Sequence, residues 1–169
     1  IGRLTKQKNY PLLIQVADKL KNKEFDFSID IYGEGELENE IKHLIEHKQL
    51  NEHVQFRGFV PNLSETLQNY DLFLMTSSWE GFGNVLVEAL ERGLKVISTD
   101  CPSGPREVLD NGVFGTLVPV NDADAIVDVI LNRSFDINQD LEVLIEHLNT
   151  FTLNSVGEKY LKLFAELKL

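Results

Sequence analysis

A chain of 169 residues, 43% hydrophobic and 25% charged, has the composition of an ordinary globular domain large enough to bury a core. Its formal charge of −11 argues against a nucleic-acid grip or direct attraction to an anionic membrane, because both need clustered Lys and Arg. No apolar run approaches the ~20 residues that span a bilayer, no signal peptide is visible, and the single cysteine, Cys101, cannot form an internal disulfide, which fits a reducing compartment.

The chain opens on "IGRLTKQ". Ile1-Gly2 reads as the last step of a strand whose body lies outside this sequence, so a longer parent protein is expected. "YPLLIQVADKL" has helical spacing at Leu12, Leu13, Val16, Ala17 and Leu20. "FDFSIDIYG" alternates Phe27, Ile29 and Ile31 and stops at Gly33, as a strand does. A charged helix is expected over about 36–48. "VQFRGFV" reads as a short strand ending at Gly58, and "LSETLQN" as a short helix capped by Asn62 or Ser64. "DLFLMTS" and "KVIST" are continuous apolar runs, as in strands buried on both faces. A helix over about 84–92 joins them, and Gly93 marks its end. Pro105 opens a short helix in "SGPREVLD". "GTLVPV" is a strand and "DADAIVDVILN" a helix capped by Asp122. "RSFDINQD" reads as a linker, and helices over about 141–148 and 155–167 close the chain.

Strands separated by helical crossovers imply an α/β fold: a Rossmann-like parallel sheet with helices on both faces. A single domain over 1–169 is expected, ending in helices within 139–169. Ligands in such sheets sit beyond the carboxyl ends of strands, at the topological switch point. The loops after Ile1, Tyr32, Phe56, Thr76 and Thr99 are therefore the ones to inspect.

Two of these loops carry paired glycines. "YGEGELE" is Gly-x-Gly between a strand and a helix, but Glu38 occupies the third glycine position of a dinucleotide fingerprint. Glu34, Glu36 and Glu38 suit the helix dipole and would repel a pyrophosphate. "EGFGN" differs. No acid competes in its first helical turn, so the amides of Asn84, Val85 and Leu86 are free to face an anion. Glu80 precedes the turn, and Glu88 lies one turn inside, among Val85, Leu86, Val87, Ala89 and Leu90. Either Glu88 pairs with a nearby Arg or Lys, or its partner is a ligand. Eight helical residues displace it by about 80° from Glu80, so the two need not share a face. Two carboxylates flanking an anion-binding turn suit a molecule with hydroxyls at both ends and phosphates in the middle, as in a nucleoside-diphosphate sugar. "GRLTKQKN" supplies positive charge through Arg3 and Lys8, with Lys6 as the lesser alternative.

Together, "GRLTKQKN", "YGEGELE", "FRGFV", "SSWEGFGNVLVEA" and "DCPSGPREVL" resemble, in this order, the retaining glycosyltransferases of GT-B architecture, group 1 or family 4 type. Glu80-x7-Glu88 around Gly-Phe-Gly is the specific part. The resemblance covers essentially the whole chain. It implies the C-terminal, donor-binding half of a two-domain enzyme, with the N-terminal acceptor domain outside this chain. It also implies that Arg3 and Lys8 grip the donor diphosphate and that Glu80 contacts hydroxyls of the transferred sugar. Gly81, Phe82, Gly83, Asn84, Val85 and Leu86 would present amides to sugar and phosphate, and Glu88 would accept from the ribose. Gly58, Phe59 and Val60 would lie at the base, Gly33 and Gly35 near the nucleoside, and Arg106 in the interdomain cleft.

The implied reaction is transfer of a hexosyl group from a UDP-sugar, less favourably a GDP-sugar, to a glycan or lipid-linked acceptor. Retention of configuration is implied, and no divalent metal. The implied setting is bacterial polysaccharide or glycolipid synthesis in the cytoplasm, with the whole protein peripheral to the inner membrane face. An epimerase or phosphorylase of related architecture is the second reading. A non-catalytic nucleotide-binding or interaction module would leave Arg3, Glu80 and Glu88 without a joint purpose.

Glu40, His43 and His47 share one face of a helix whose apolar stripe lies opposite, and they read as solvated surface. His53 and His147 have no motif context. Cys101 reads as a small loop residue and Trp79 as packing. The last helix carries Val156, Tyr160, Leu163, Phe164 and Leu167. If uncovered, that face is expected to favour self-association.

Overall fold

The computed structural model describes residues 1–135 and 140–167. Two compact units are present, Ile1–Ile137 and Asn138–Leu169. Among the described residues, five strands lie in the first: β1 (Ile29–Tyr32), β2 (Val54–Gly58), β3 (Leu72–Met75), β4 (Lys95–Thr99) and β5 (Thr116–Val118). Its helices are α1 (Tyr10–Asn22), α2 (Glu38–His47), α3 (Leu63–Leu67), α4 (Asn84–Glu91), α5 (Pro105–Val108) and α6 (Ala123–Leu131). Short 3-10 turns lie at Lys6–Lys8 and Asp110–Gly112.

All pairings are parallel, but the strands form two sheets rather than the single one expected. One pairs β1 with β2, and the other has the order β3-β4-β5. β4 is central, and its Val96, Ile97, Ser98 and Thr99 are all buried, which accounts for the unbroken run in "KVIST". Ile1-Gly2 is not a strand. Gly2 and Leu4 instead donate to Tyr32 O and Glu34 O, so the opening segment runs beside the exit of β1.

α1 ties the halves of this unit together. Its Leu13, Ile14 and Ala17 join Ile31 of β1, Ile41 and Ile45 of α2 and Val54 of β2. Its Leu12, Val16 and Leu20 join Ile97, Val118 and the α6 residues Ile126, Val127 and Ile130. Burying each such Leu or Ile stabilises by roughly 1.5–3 kcal/mol. The loop of residues 3–9, which leads into α1, thereby gains a fixed base.

The caps follow the local chemistry. Asn62 accepts from Glu65 N and Asp122 from Ala125 N. Gly93, at φ +72, ends α4 with Gly93 N donating to Leu90 O and Leu94 N to Ala89 O. α2 starts two residues later than expected, because the Leu37 amide is taken by Leu4 O. Glu40, His43 and His47 are exposed on it, and among the described residues no cluster of three His, Cys, Asp or Glu side chains could hold a metal ion.

The second unit contains α7 (Leu141–Asn149) and α8 (Leu153–Glu166), capped by Asp140 and Thr152. α8 leaves Leu153, Tyr160, Leu161, Leu163 and Phe164 exposed. Half of the expected linker, residues 136–139, lies outside the described residues. No helix among the described residues is long and apolar enough to cross a membrane.

Candidate functional site

The loop before α1 meets the loop after β3. Ser78 N donates to Gln7 O, and Thr76 Oγ1 to Lys8 O. Thr99 Oγ1, at the end of β4, donates to Ser77 O at 2.6 Å. These bonds fix the loop before α1 against the carboxyl ends of β3 and β4, where the switch-point rule locates ligands.

A cleft of about 560 Å³ opens between them. Arg3, Lys8 and Glu80 all line it, with Gly2, Thr5, Lys6, Gln7, Glu36 and Trp79. Three residues singled out from two distant motifs thus share one cavity wall. Glu80 is held tightly. Lys8 Nζ lies 2.7 Å from Glu80 Oε1, Ser77 Oγ donates to the same oxygen at 2.6 Å, and Gln7 Nε2 donates to Oε2 at 3.2 Å. The Arg3 guanidinium is exposed and has no ion pair or hydrogen bond among the described residues.

Glu88 sits on α4 with its side chain half-buried and no hydrogen-bond or ion-pair partner among the described residues. The Arg or Lys pairing weighed as an alternative is absent. Desolvation, followed by repulsion from Glu91, pushes its carboxyl above the usual carboxylate range. Gly83, at φ +85, is the N-cap of α4, and no side chain caps its amides. The Asn84 and Val85 amides precede the first intrahelical bond. The Leu86 amide does not point outward as expected; it donates to Gly83 O at 2.8 Å.

The glycines divide by environment. A Cβ at Gly33 would meet Gly2 O at 2.0 Å, and one at Gly35 would meet Leu4 O at 2.5 Å. Both are therefore needed for the packing of the loop containing Arg3, whatever ligand lies nearby. Gly58 and Gly81 face open space, as a ligand approach requires. Gly33 N donates to Gly58 O, and Phe59 beyond it is 71% exposed. Gly58, Phe59, Val60, the 81–86 turn and Glu88 do not line the 560 Å³ cleft.

Three features were not legible from the sequence. Trp79 is only partly packed; the residue is 52% exposed and lines the cleft. Glu36 lines the same cleft, because the 33–37 loop is sewn to Leu4. Gln7 and Ser77 emerge as direct partners of Glu80. Gln7 lies 73 residues from Glu80 in the chain, and no local pattern signals that contact.

A second cleft of about 400 Å³ is lined by Asp100, Cys101, Pro102, Ser103, Gly104, Arg106 and Glu107. Arg106 pairs with Asp100 at 2.5 Å. The loop is set against the glycine turn. Glu80 N donates to Pro102 O, and a Cβ on Gly104, at φ +84, would lie 2.1 Å from Phe82 O. Gly104→Ala is expected to cost about 2–4 kcal/mol through clash and backbone strain. Thermal unfolding would register this as a midpoint lowered by roughly 4–16 °C. An unchanged midpoint would mean that the two loops do not pack as described.

The sequence model of one protein family, Glycosyl transferases group 1, matches residues 1–133. The chain belongs to this family. It is 38% identical over 126 residues to the N-acetylgalactosamine-N,N'-diacetylbacillosaminyl-diphospho-undecaprenol 4-alpha-N-acetylgalactosaminyltransferase of Campylobacter jejuni, covering 75% of this chain and 34% of the relative. The S. aureus TarM crystal structure with Fondaparinux, alpha-GlcNAc-glycerol and UDP matches with a TM-score of 0.83 and 27% identity, over 96% of this chain and 34% of TarM. The pneumococcal O-GlcNAc transferase GtfA, solved with UDP and GlcNAc, matches with a TM-score of 0.78 and 26% identity, over 97% of this chain and 34% of GtfA. The chain thus spans about a third of the length of these relatives. The Rossmann-like α/β architecture expected for half of a GT-B glycosyltransferase is the one found.

Proposed function

We propose that this chain is the donor-binding half of a transferase that moves a hexosyl group from a UDP-sugar to a glycan or lipid-linked acceptor. The acceptor-binding half lies N-terminal to it in the complete protein, which works in the cytoplasm. The observation that carries this reading is the convergence of Arg3, Lys8 and Glu80 on one cleft. UDP is favoured over GDP because TarM and GtfA were both solved with UDP.

Arg3, Lys8 and the first amides of α4 receive the diphosphate. Glu80 accepts from a hydroxyl of the hexose, and Glu88 from the ribose diol. Breaking the bond between the sugar carbon and the diphosphate places negative charge on the departing phosphate. Arg3 and Lys8 bind that charge more strongly as it grows, which lowers the barrier. These cations fill the role that a divalent metal plays elsewhere. The acceptor oxygen attacks the face that the phosphate leaves, with retention, and its proton passes to a phosphate oxygen.

Calorimetric titration of the chain with UDP tests the reading, and its pH dependence tests Glu88. A diol donates to the carboxylate, so UDP affinity should fall as pH drops through the raised Glu88 range, above the ordinary 4.5. Glu88→Gln should weaken UDP binding about tenfold near neutrality and lose that component of the pH dependence. Comparing the two proteins cancels the titration of UDP's own terminal phosphate. Equal affinities and equal pH profiles would remove Glu88 from the site, and no UDP binding at all would overturn the reading.

A further inference from the structure

We propose that Gln7 is a positioning residue that aims Glu80 at a single hydroxyl of the donor hexose and so sets which sugar is accepted. The inference rests on the reading of this cleft as a sugar-nucleotide site.

An ionised carboxylate offers about four lone-pair positions. Glu80 already uses three of them within the protein. Lys8 Nζ and Ser77 Oγ both donate to Oε1, at 2.7 and 2.6 Å. Gln7 Nε2 donates to Oε2 at 3.2 Å. One position remains, on Oε2, for a ligand donor. Its direction is set by the bond that Gln7 makes to the same atom.

Gln7 is itself held. The same Nε2 donates to Trp79 O at 3.0 Å, so the amide bridges the backbone before Glu80 and the carboxylate of Glu80. The backbone carbonyl of Gln7 accepts from Ser78 N at 2.8 Å, which anchors the residue from which the amide reaches across. The Glu80 side chain is only 7% exposed, which leaves little room for a second rotamer. Lys8 and Ser77 fix one oxygen, while Gln7 fixes the rotation of the carboxylate about its bond to the chain. Without Gln7, Oε2 has two open positions. A hydroxyl arriving from either direction is then accepted, and discrimination between epimers falls.

UDP lacks the hexose and serves as the internal reference. Wild type, Gln7→Met and Gln7→Asn would be titrated with UDP, UDP-glucose and UDP-galactose. Gln7→Met keeps the length and removes the donor, and Gln7→Asn keeps the amide but falls short of the two acceptors. Both variants are expected to bind UDP within about twofold of wild type. In both, the affinity ratio between the preferred UDP-hexose and its epimer should fall about tenfold. An unchanged epimer ratio in both variants overturns the inference. So does a parallel loss of all three ligands, which would mean that Gln7 merely holds the loop. A wild-type chain that binds no UDP overturns the donor reading itself, a result distinct from the other two.

Discussion

The Arg3→Ala form of the complete transferase is expected to lose about 10²–10³ in kcat. Arg3 offers a planar fork of donors at the wall of the cleft, with no partner among the described residues to satisfy it. Its neighbour Leu4 is fully buried and bonded through both backbone groups, to Glu34 O and from Leu37 N. The loop is therefore held by Leu4, and the guanidinium is spare for binding. Removing an exposed, unpaired side chain from such a loop should leave stability within about 0.5 kcal/mol. Ground-state affinity for UDP should weaken by about tenfold, the worth of one charge-assisted bond at the low end. The rate should fall further than the affinity, because phosphate charge increases on the way to the transition state. Arg3→Lys restores charge without the fork and should recover only part of the loss. Steady-state kinetics on the two variants would check this, and a kcat within threefold of wild type for Arg3→Ala would remove Arg3 from the mechanism.

The residues most legible from sequence were those whose role is written in local pattern. β4 reads as a buried strand because four of its five residues are buried, and α4 ends where Gly93 allows a left-handed turn. Arg3, Lys8 and Glu80 were reachable because the switch-point rule names the loops before any contact is known. Long-range consequences were not legible. Nothing in "GEGELE" says that its glycines are filled by the backbone of Gly2 and Leu4, and so nothing says that Glu36 will stand beside Arg3. The composition of "SSWEG" suggests a packed indole, yet the side-chain bonds that hold this loop converge on Glu80, and Trp79 stays half-exposed at the cleft. Glu88 was ambiguous because a half-buried carboxylate looks the same in sequence whether it pairs with Lys or waits for a ligand.

Lys8→Met should lower both binding and stability, and the two effects can be separated. Lys8 and Glu80 form a pair at 2.7 Å with side-chain exposures of 18% and 7%. Removing one partner of a buried pair costs about 3–5 kcal/mol, mostly from the charge left behind. Here Ser77 and Gln7 still donate to Glu80, so the expected loss is about 2–3 kcal/mol. Unfolding midpoints should drop by roughly 4–12 °C. Combining Lys8→Met with Glu80→Gln removes the stranded charge and should recover part of that drop, since contacting residues are not additive. UDP-hexose binding should not recover, because the double variant lacks both the phosphate cation and the anionic acceptor for the sugar hydroxyl. A double variant that regained ligand affinity along with stability would mean that the pair only braces the loop. One that regained neither would mean that Lys8 supports the fold through contacts other than Glu80.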